Sequence, residues 1–197
     1  GAARELDTHI TPGIGGADKQ GRDILAAFYI MKDDRATPDA VGIDLENIRG
    51  GLEDYRPCAM RLEVLSHPTG CAIVLDAYNA NPDSMRAAVE AFCERYAASE
   101  KVLALGDMKE LGRDSRRFHA ELGAWLAGLP LAAVFLAGPE MRAAADALAK
   151  LKPRFPVRYA EAADQWVGEL KSGLTSRRAL FVKASRAMKF EAVAGAL

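Results

Sequence analysis

At 197 residues the chain is long enough for one sizeable core, or for one domain with an appendage. Half of its residues are hydrophobic and 27% are charged, as in a soluble globular protein, and a formal net charge of −1 gives no electrostatic case for nucleic acid or an anionic membrane. No apolar run approaches the roughly 20 residues needed to cross a bilayer, and Arg4, Glu5 and Asp7 interrupt any secretory signal at the start. Cys58, Cys71 and Cys93 form no C-x-x-C pair and read as reduced thiols, so a cytoplasmic location is expected. His9, His67 and His119 lack paired ligand spacing, which argues against a zinc site.

Residues 1–18 are glycine-rich and aperiodic, and read as a loop or a severed connection. Ile24, Phe28 and Met31 share a helical face within Gln20 to Lys32, and Ile48, Leu52 and Tyr55 do so within Asp44 to Tyr55. Two such helices cannot enclose a core, so they belong to a neighbouring domain or to the edge of the main one. From Arg61 the pattern becomes regular. A strand from Arg61 to Ser66 meets one from Cys71 to Asp76 through His67-Pro68-Thr69-Gly70, a plausible hairpin loop.

Strand-like and helix-like segments then alternate to the end of the chain. Pro82 opens a helix that Asn81 is placed to cap, with Met85, Ala88, Val89, Phe92 and Tyr96 as its apolar stripe. Val102–Leu105 precedes a helix from Ser115 to about Leu126, and Ala132–Leu136 precedes Glu140–Lys150. Val157–Tyr159 precedes Ala162–Leu170, and Leu180–Lys183 precedes a last helix ending near Leu197. This alternation predicts an α/β fold, a Rossmann-like three-layer sandwich with about five parallel strands and the antiparallel Arg61–Ser66 strand.

Four polar clusters fall at the carboxyl ends of the predicted parallel strands: Asp76 to Ser84, Gly106 to Gly112, Ala137 to Glu140, and Lys183 to Arg186. Several such ends on one sheet edge form a rim, the usual ligand site of open α/β sheets. With a four-residue hairpin loop, Arg61 lies opposite Asp76 at that rim. The pair reads either as a cross-strand ion pair or as a frame for a nucleotide, guanidinium to phosphate and carboxylate to ribose. Tyr78, Asn79 and Asn81 suit a neutral hydrogen-bonding partner, a sugar or base, although Asn81 is better placed as a cap. Asp107, Lys109 and Glu110 read as a solvated loop, His119 as a structural helix-face histidine, and Lys183 and Arg186 as partners of local acids or of a bound anion. No G-x-x-x-x-G-K-[ST] phosphate loop occurs in the chain.

Arg61-Leu62-Glu63, the run Asp76-Ala77-Tyr78-Asn79-Ala80-Asn81-Pro82-Asp83-Ser84-Met85, Leu105 to Gly112 and Val182 to Lys189 together resemble the Mur ligases over roughly residues 45–197. The likeness is greatest to the branch that adds D-alanyl-D-alanine to UDP-N-acetylmuramoyl-tripeptide in peptidoglycan precursor synthesis. It implies that residues 1–57 are a remnant of the family's central domain, a loop and two helices, and that 58–197 are its C-terminal, ATP-binding lid. The reaction it implies is ATP-dependent amide formation through an acyl phosphate, by a monomer with no membrane or nucleic-acid partner.

By resemblance, Arg61 and Asp76 contact the ATP phosphate–ribose region, and Tyr78, Asn79 and Asn81 line the nucleotide side. Asp107, Lys109, Glu110, Lys183, Ser185 and Arg186 border the incoming dipeptide. No catalytic residue is assigned within the chain, and Mg²⁺ ligands are expected in the domains it lacks, as is the phosphate loop, so the chain alone is expected to be inactive. A non-catalytic nucleotide-binding or scaffold module derived from such a ligase is the alternative. Two further departures from the family pattern are Lys19-Gln20-Gly21-Arg22-Asp23, where a His-Asn-x-x-Asn helix start is usual, and Ala184, where glycine is usual.

Overall fold

The computed structural model describes residues 60–197. The expected loop at 1–18, the two expected helices, the 1–57 domain remnant, the Lys19–Asp23 segment and Cys58 lie outside the described residues.

Strands β1 (Glu63–Ser66), β2 (Ala72–Asp76), β3 (Glu100–Gly106), β4 (Ala133–Ala137), β5 (Val157–Ala160) and β6 (Arg178–Lys183) form a single sheet. They alternate with helices α1 (Pro82–Arg95), α2 (Ser115–Leu126), α3 (Met141–Leu151), α4 (Asp164–Ser172) and α5 (Glu191–Ala196). The strand order is β1-β2-β6-β3-β4-β5. Only β1 is antiparallel to its neighbour, and the pairs β2·β6, β6·β3, β3·β4 and β4·β5 are all parallel. The expected set of five parallel strands and one antiparallel strand is therefore present. The last expected helix is split into a 3-10 turn at Arg186–Met188 and α5, because Lys189 adopts a left-handed φ of 52° between them.

Successive strand residues point to opposite faces and sort into two cores. Val74, Leu103, Leu105, Leu136 and Phe181 pack beneath α1, α2 and α3, joined by Met85, Val89, Phe92, Leu122 and Met141. Ile73, Leu75, Val102, Phe135, Leu180 and Val182 face the other way, onto Trp166 and Leu170 of α4 and Phe190 and Val193. Central strands buried on both faces read as continuous apolar runs, which is why they were legible in the sequence. The α1 stripe is buried as expected at Met85, Ala88, Val89 and Phe92.

This winding places the site. The connection leaving β2 crosses by α1 on one face to reach β3, whereas α5, which follows β6, lies on the other face. Adjacent parallel strands whose connections depart to opposite faces leave a crevice at their carboxyl ends. By that rule β6 has such a crevice on both sides, against β2 and against β3, and the one against β2 adjoins the turn after Asp76.

The hairpin register requires a correction. Glu63 pairs with Leu75 and Ser66 with Ala72, so the loop runs over 67–71 and has one residue more than expected. Gly70 takes a φ of 82°, its N–H donates to the His67 carbonyl, and the His67 N–H donates to the Cys71 carbonyl. A one-residue slip inverts every facing relation along the pair. Arg61 therefore does not oppose Asp76. It lies before β1, in a turn made by left-handed Met60 (φ 65°) and Leu62 (φ 49°) and closed by the Met60 N–H donating to the Glu63 carboxylate.

Candidate functional site: the carboxyl rim of the sheet

Asp76 and Lys183 are register partners at the last positions of β2 and β6. The Lys183 Nζ lies 2.5 Å from Asp76 Oδ2 and also donates to the Asn79 carbonyl at 2.8 Å. Lys183 is 1% exposed. Burial lowers its pKa from the ordinary lysine value, and the charge and hydrogen bond of Asp76 act in the opposite direction. The partner of Asp76 is thus Lys183 and not Arg61. An ammonium held between a carboxylate and a carbonyl in the sheet edge fixes where the chain turns after β2.

Beyond that turn the segment reaches solvent. Tyr78 is 45% exposed, and the Arg61 guanidinium lies over its ring at 4.1 Å from the centroid. Asn79 is exposed and its Oδ1 accepts from the Ala80 N–H at 2.9 Å. Asn81 caps α1: its Oδ1 accepts from the Ser84 N–H at 2.7 Å, and the Ser84 hydroxyl accepts from the Asn81 N–H at 3.0 Å. This reciprocal box satisfies donors that the helix start leaves open, and Pro82 supplies no donor of its own. Arg61, Tyr78 and Asn79 thus form an exposed patch of one guanidinium, one aromatic ring and one amide beside the β2–β6 crevice.

Asp107, after β3, is fully buried. Its Oδ1 accepts from the Met141 N–H at 2.9 Å, and its Oδ2 pairs with Lys109 Nζ at 2.7 Å. The carboxylate therefore holds the start of α3, where negative charge is favoured. Gly138 makes room for it with a φ of 117°, since a Cβ there would run into the Asp107 carboxylate.

His119 is also fully buried. Its Nε2 accepts from the Met108 N–H at 3.0 Å, which leaves Nδ1 as the donor to the Ser115 carbonyl at 2.8 Å. The Ser115 hydroxyl in turn donates to Glu140 at 2.9 Å. The structural role expected of His119 is what the geometry shows. Sequence reasoning missed its partner in the 107–112 loop, although its place in line with Leu122 and Leu126 on α2 marks it as inward-facing.

Ser185 is buried, whereas Glu110 and Arg186 are exposed. Glu110 adopts a left-handed φ of 65°. Arg186 donates to Glu191 at 2.6 Å. Ala184 has no positive φ, so alanine is tolerated where the resembling family has glycine. Its methyl sits against Gly106, where a Cβ would meet both Ala184 and Phe190.

Residues 60–186 match the family model described as Mur ligase, glutamate ligase domain. The chain belongs to the Mur ligase family. It is 32% identical over 152 residues to the UDP-N-acetylmuramoyl-tripeptide–D-alanyl-D-alanine ligase of Bacillus subtilis, covering 77% of this chain and 33% of that protein. Among solved structures, MurF from Acinetobacter baumannii superposes with a TM-score of 0.67 at 28% identity, over 80% of this chain and 34% of that one. The MurF ligase from Thermotoga maritima in complex with ADP superposes with a TM-score of 0.63 at 26% identity, over 81% of this chain and 34% of that one. The Mur ligase chain described here thus spans about a third of the length of these relatives. Among its described residues no helix is long and apolar enough to cross a membrane.

Proposed function

We propose that this chain is the nucleotide-side part of an ATP-dependent amide-forming ligase that joins D-alanyl-D-alanine to UDP-N-acetylmuramoyl-tripeptide. The observation that carries the reading is the exposed patch of Arg61, Tyr78 and Asn79 at the β2–β6 crevice, within a stretch matching ligases of that name. A relative solved in complex with ADP supports a nucleotide as the occupant.

In this reading ATP is a substrate that activates the tripeptide carboxylate by phosphorylation, and the dipeptide amine then displaces phosphate to form the amide. The Arg61 guanidinium offers donors to phosphate oxygens, and its stacking on Tyr78 keeps it at the crevice mouth. The Asn79 side chain offers a neutral amide to ribose or base. Asp76 acts through Lys183 and Asn79, as the anchor of the turn that presents them. Glu110, exposed on the same rim, and Arg186 border the space for the amine substrate. The remaining rim groups, Asp107, Lys109, Lys183 and Ser185, shape the backbone that frames it.

Among the described residues no cluster of three or more His, Cys, Asp or Glu could hold a metal ion. The reading expects the Mg²⁺ ligands in the parts of the ligase outside this chain, and no step is drawn through the ion. The reading also takes the protein to be a cytoplasmic monomer.

The test is a chimaera in which residues 60–197 replace the matching segment of the Bacillus subtilis relative. ATP-dependent joining of D-alanyl-D-alanine to the UDP-linked tripeptide, followed as phosphate release, is expected. A folded chimaera that binds no ATP and forms no amide would overturn the reading.

A further inference from the structure

Ser185 follows β6 by two residues and is 4% exposed. Its Oγ accepts from the Lys109 N–H at 2.8 Å and donates to the Ala80 carbonyl at 3.3 Å. Its own N–H donates to the Asp107 carbonyl at 3.1 Å. One buried residue therefore contacts both polar segments of the rim, 77–81 after β2 and 107–112 after β3. Those segments follow strands that are not neighbours, because β6 lies between them. Lys183 also reaches the first segment, through the bond of its ammonium to the Asn79 carbonyl.

The hydroxyl's proton is committed to Ala80 and a lone pair to Lys109, so the side chain is built into the frame and does not face a substrate. Alanine at this position would leave the Lys109 N–H and the Ala80 carbonyl without their partner, while the backbone bond from residue 185 to Asp107 would persist. Among the described residues, the Ser185 hydroxyl thus hydrogen-bonds to both segments.

We propose that Ser185 is a positioning residue that fixes segment 77–81 relative to loop 107–112, so that a nucleotide held by the first is registered by the second. The fixing stands on the hydrogen bonds alone. The transmission rests on the nucleotide reading given above. In a ligase this link would let occupation on the nucleotide side set the loop beside the amine substrate.

Amide hydrogen exchange and chemical shifts, read by NMR on the full 197-residue chain as wild type, Ser185→Ala and Ser185→Thr, test both parts. Without nucleotide, the Lys109 amide should exchange roughly tenfold faster in Ser185→Ala, the scale of one lost hydrogen bond. The Leu103 and Phe181 amides should be unchanged, and Ser185→Thr should restore protection. Equal Lys109 exchange in wild type and Ser185→Ala would overturn the fixing role, as would faster exchange shared by the core amides.

With ATP added, wild type should show shifts at Tyr78, Asn79 and Lys109, and Ser185→Ala should retain the first two and lose the third. A Lys109 shift that survives Ser185→Ala overturns the transmission. If ATP moves no amide in the wild type, the transmission is overturned, while the exchange comparison without nucleotide still decides the fixing role and the chimaera decides the nucleotide reading.

Discussion

The two sides of the rim use polar residues in opposite ways. After β3, Asp107 and His119 are fully buried, and each holds a backbone N–H of another segment. After β2, Tyr78, Asn79 and the overlying Arg61 are exposed. The Asp76–Lys183 pair lies at the boundary, buried like the first group and shaping the turn that presents the second. A charged residue at a strand end is therefore not by itself a ligand contact. Burial separates the residues that build the frame from those left free to meet a partner.

That contrast predicts different consequences for substitutions a few residues apart. The largest stability loss is expected from Asp76→Ala or Lys183→Ala, each of which strands a buried charge, at a cost of about 3–5 kcal/mol. Urea denaturation of the full chain measures it. Replacing both with apolar residues of similar size should recover much of the loss. His119→Ala should follow at about 1–3 kcal/mol, since it leaves the Met108 N–H buried without a partner.

Asn81→Ala removes the cap of α1 and should cost about 1 kcal/mol. Tyr78→Ala and Asn79→Ala, on the exposed side, should change stability by less than about 1 kcal/mol while weakening nucleotide binding. A large stability loss at Tyr78 would erase the distinction between the two sides.

The smallest expected effect concerns thiol reactivity. Burial raises the Cys71 and Cys93 pKa values above the ordinary thiol value, so less thiolate is present at a given pH. Iodoacetamide at pH 8, mapped by mass spectrometry, should label both more slowly than after unfolding in urea. Equal rates would contradict the packing around β2 and α1.

The sequence carried the fold well because its central strands are apolar on both faces and its helices have clean stripes, so both periods were visible. It failed at the hairpin, where Gly70 and Cys71 extend the loop by one residue through backbone hydrogen bonds that leave no mark in hydropathy. That slip produced the mistaken opposition of Arg61 and Asp76. Lys183 is a residue that sequence reasoning named without finding its partner. Its pairing depends on β6 lying beside β2, an adjacency set by the return crossover and not by chain order. Asp107 and Lys109 looked like a solvated loop because their sequence neighbourhood is polar, and the helix start that buries the carboxylate lies 34 residues further on.

In the proposed ligase, Arg61 serves a nucleotide and not the stability of the domain. Its most direct test is Arg61→Ala in the active chimaera, with the KM for ATP, the KM for D-alanyl-D-alanine and the melting temperature measured together. A rise in the KM for ATP of roughly tenfold or more is expected, the scale of a lost charge-assisted contact, with the dipeptide KM and the melting temperature unchanged. A lowered melting temperature with an unchanged KM for ATP would contradict it.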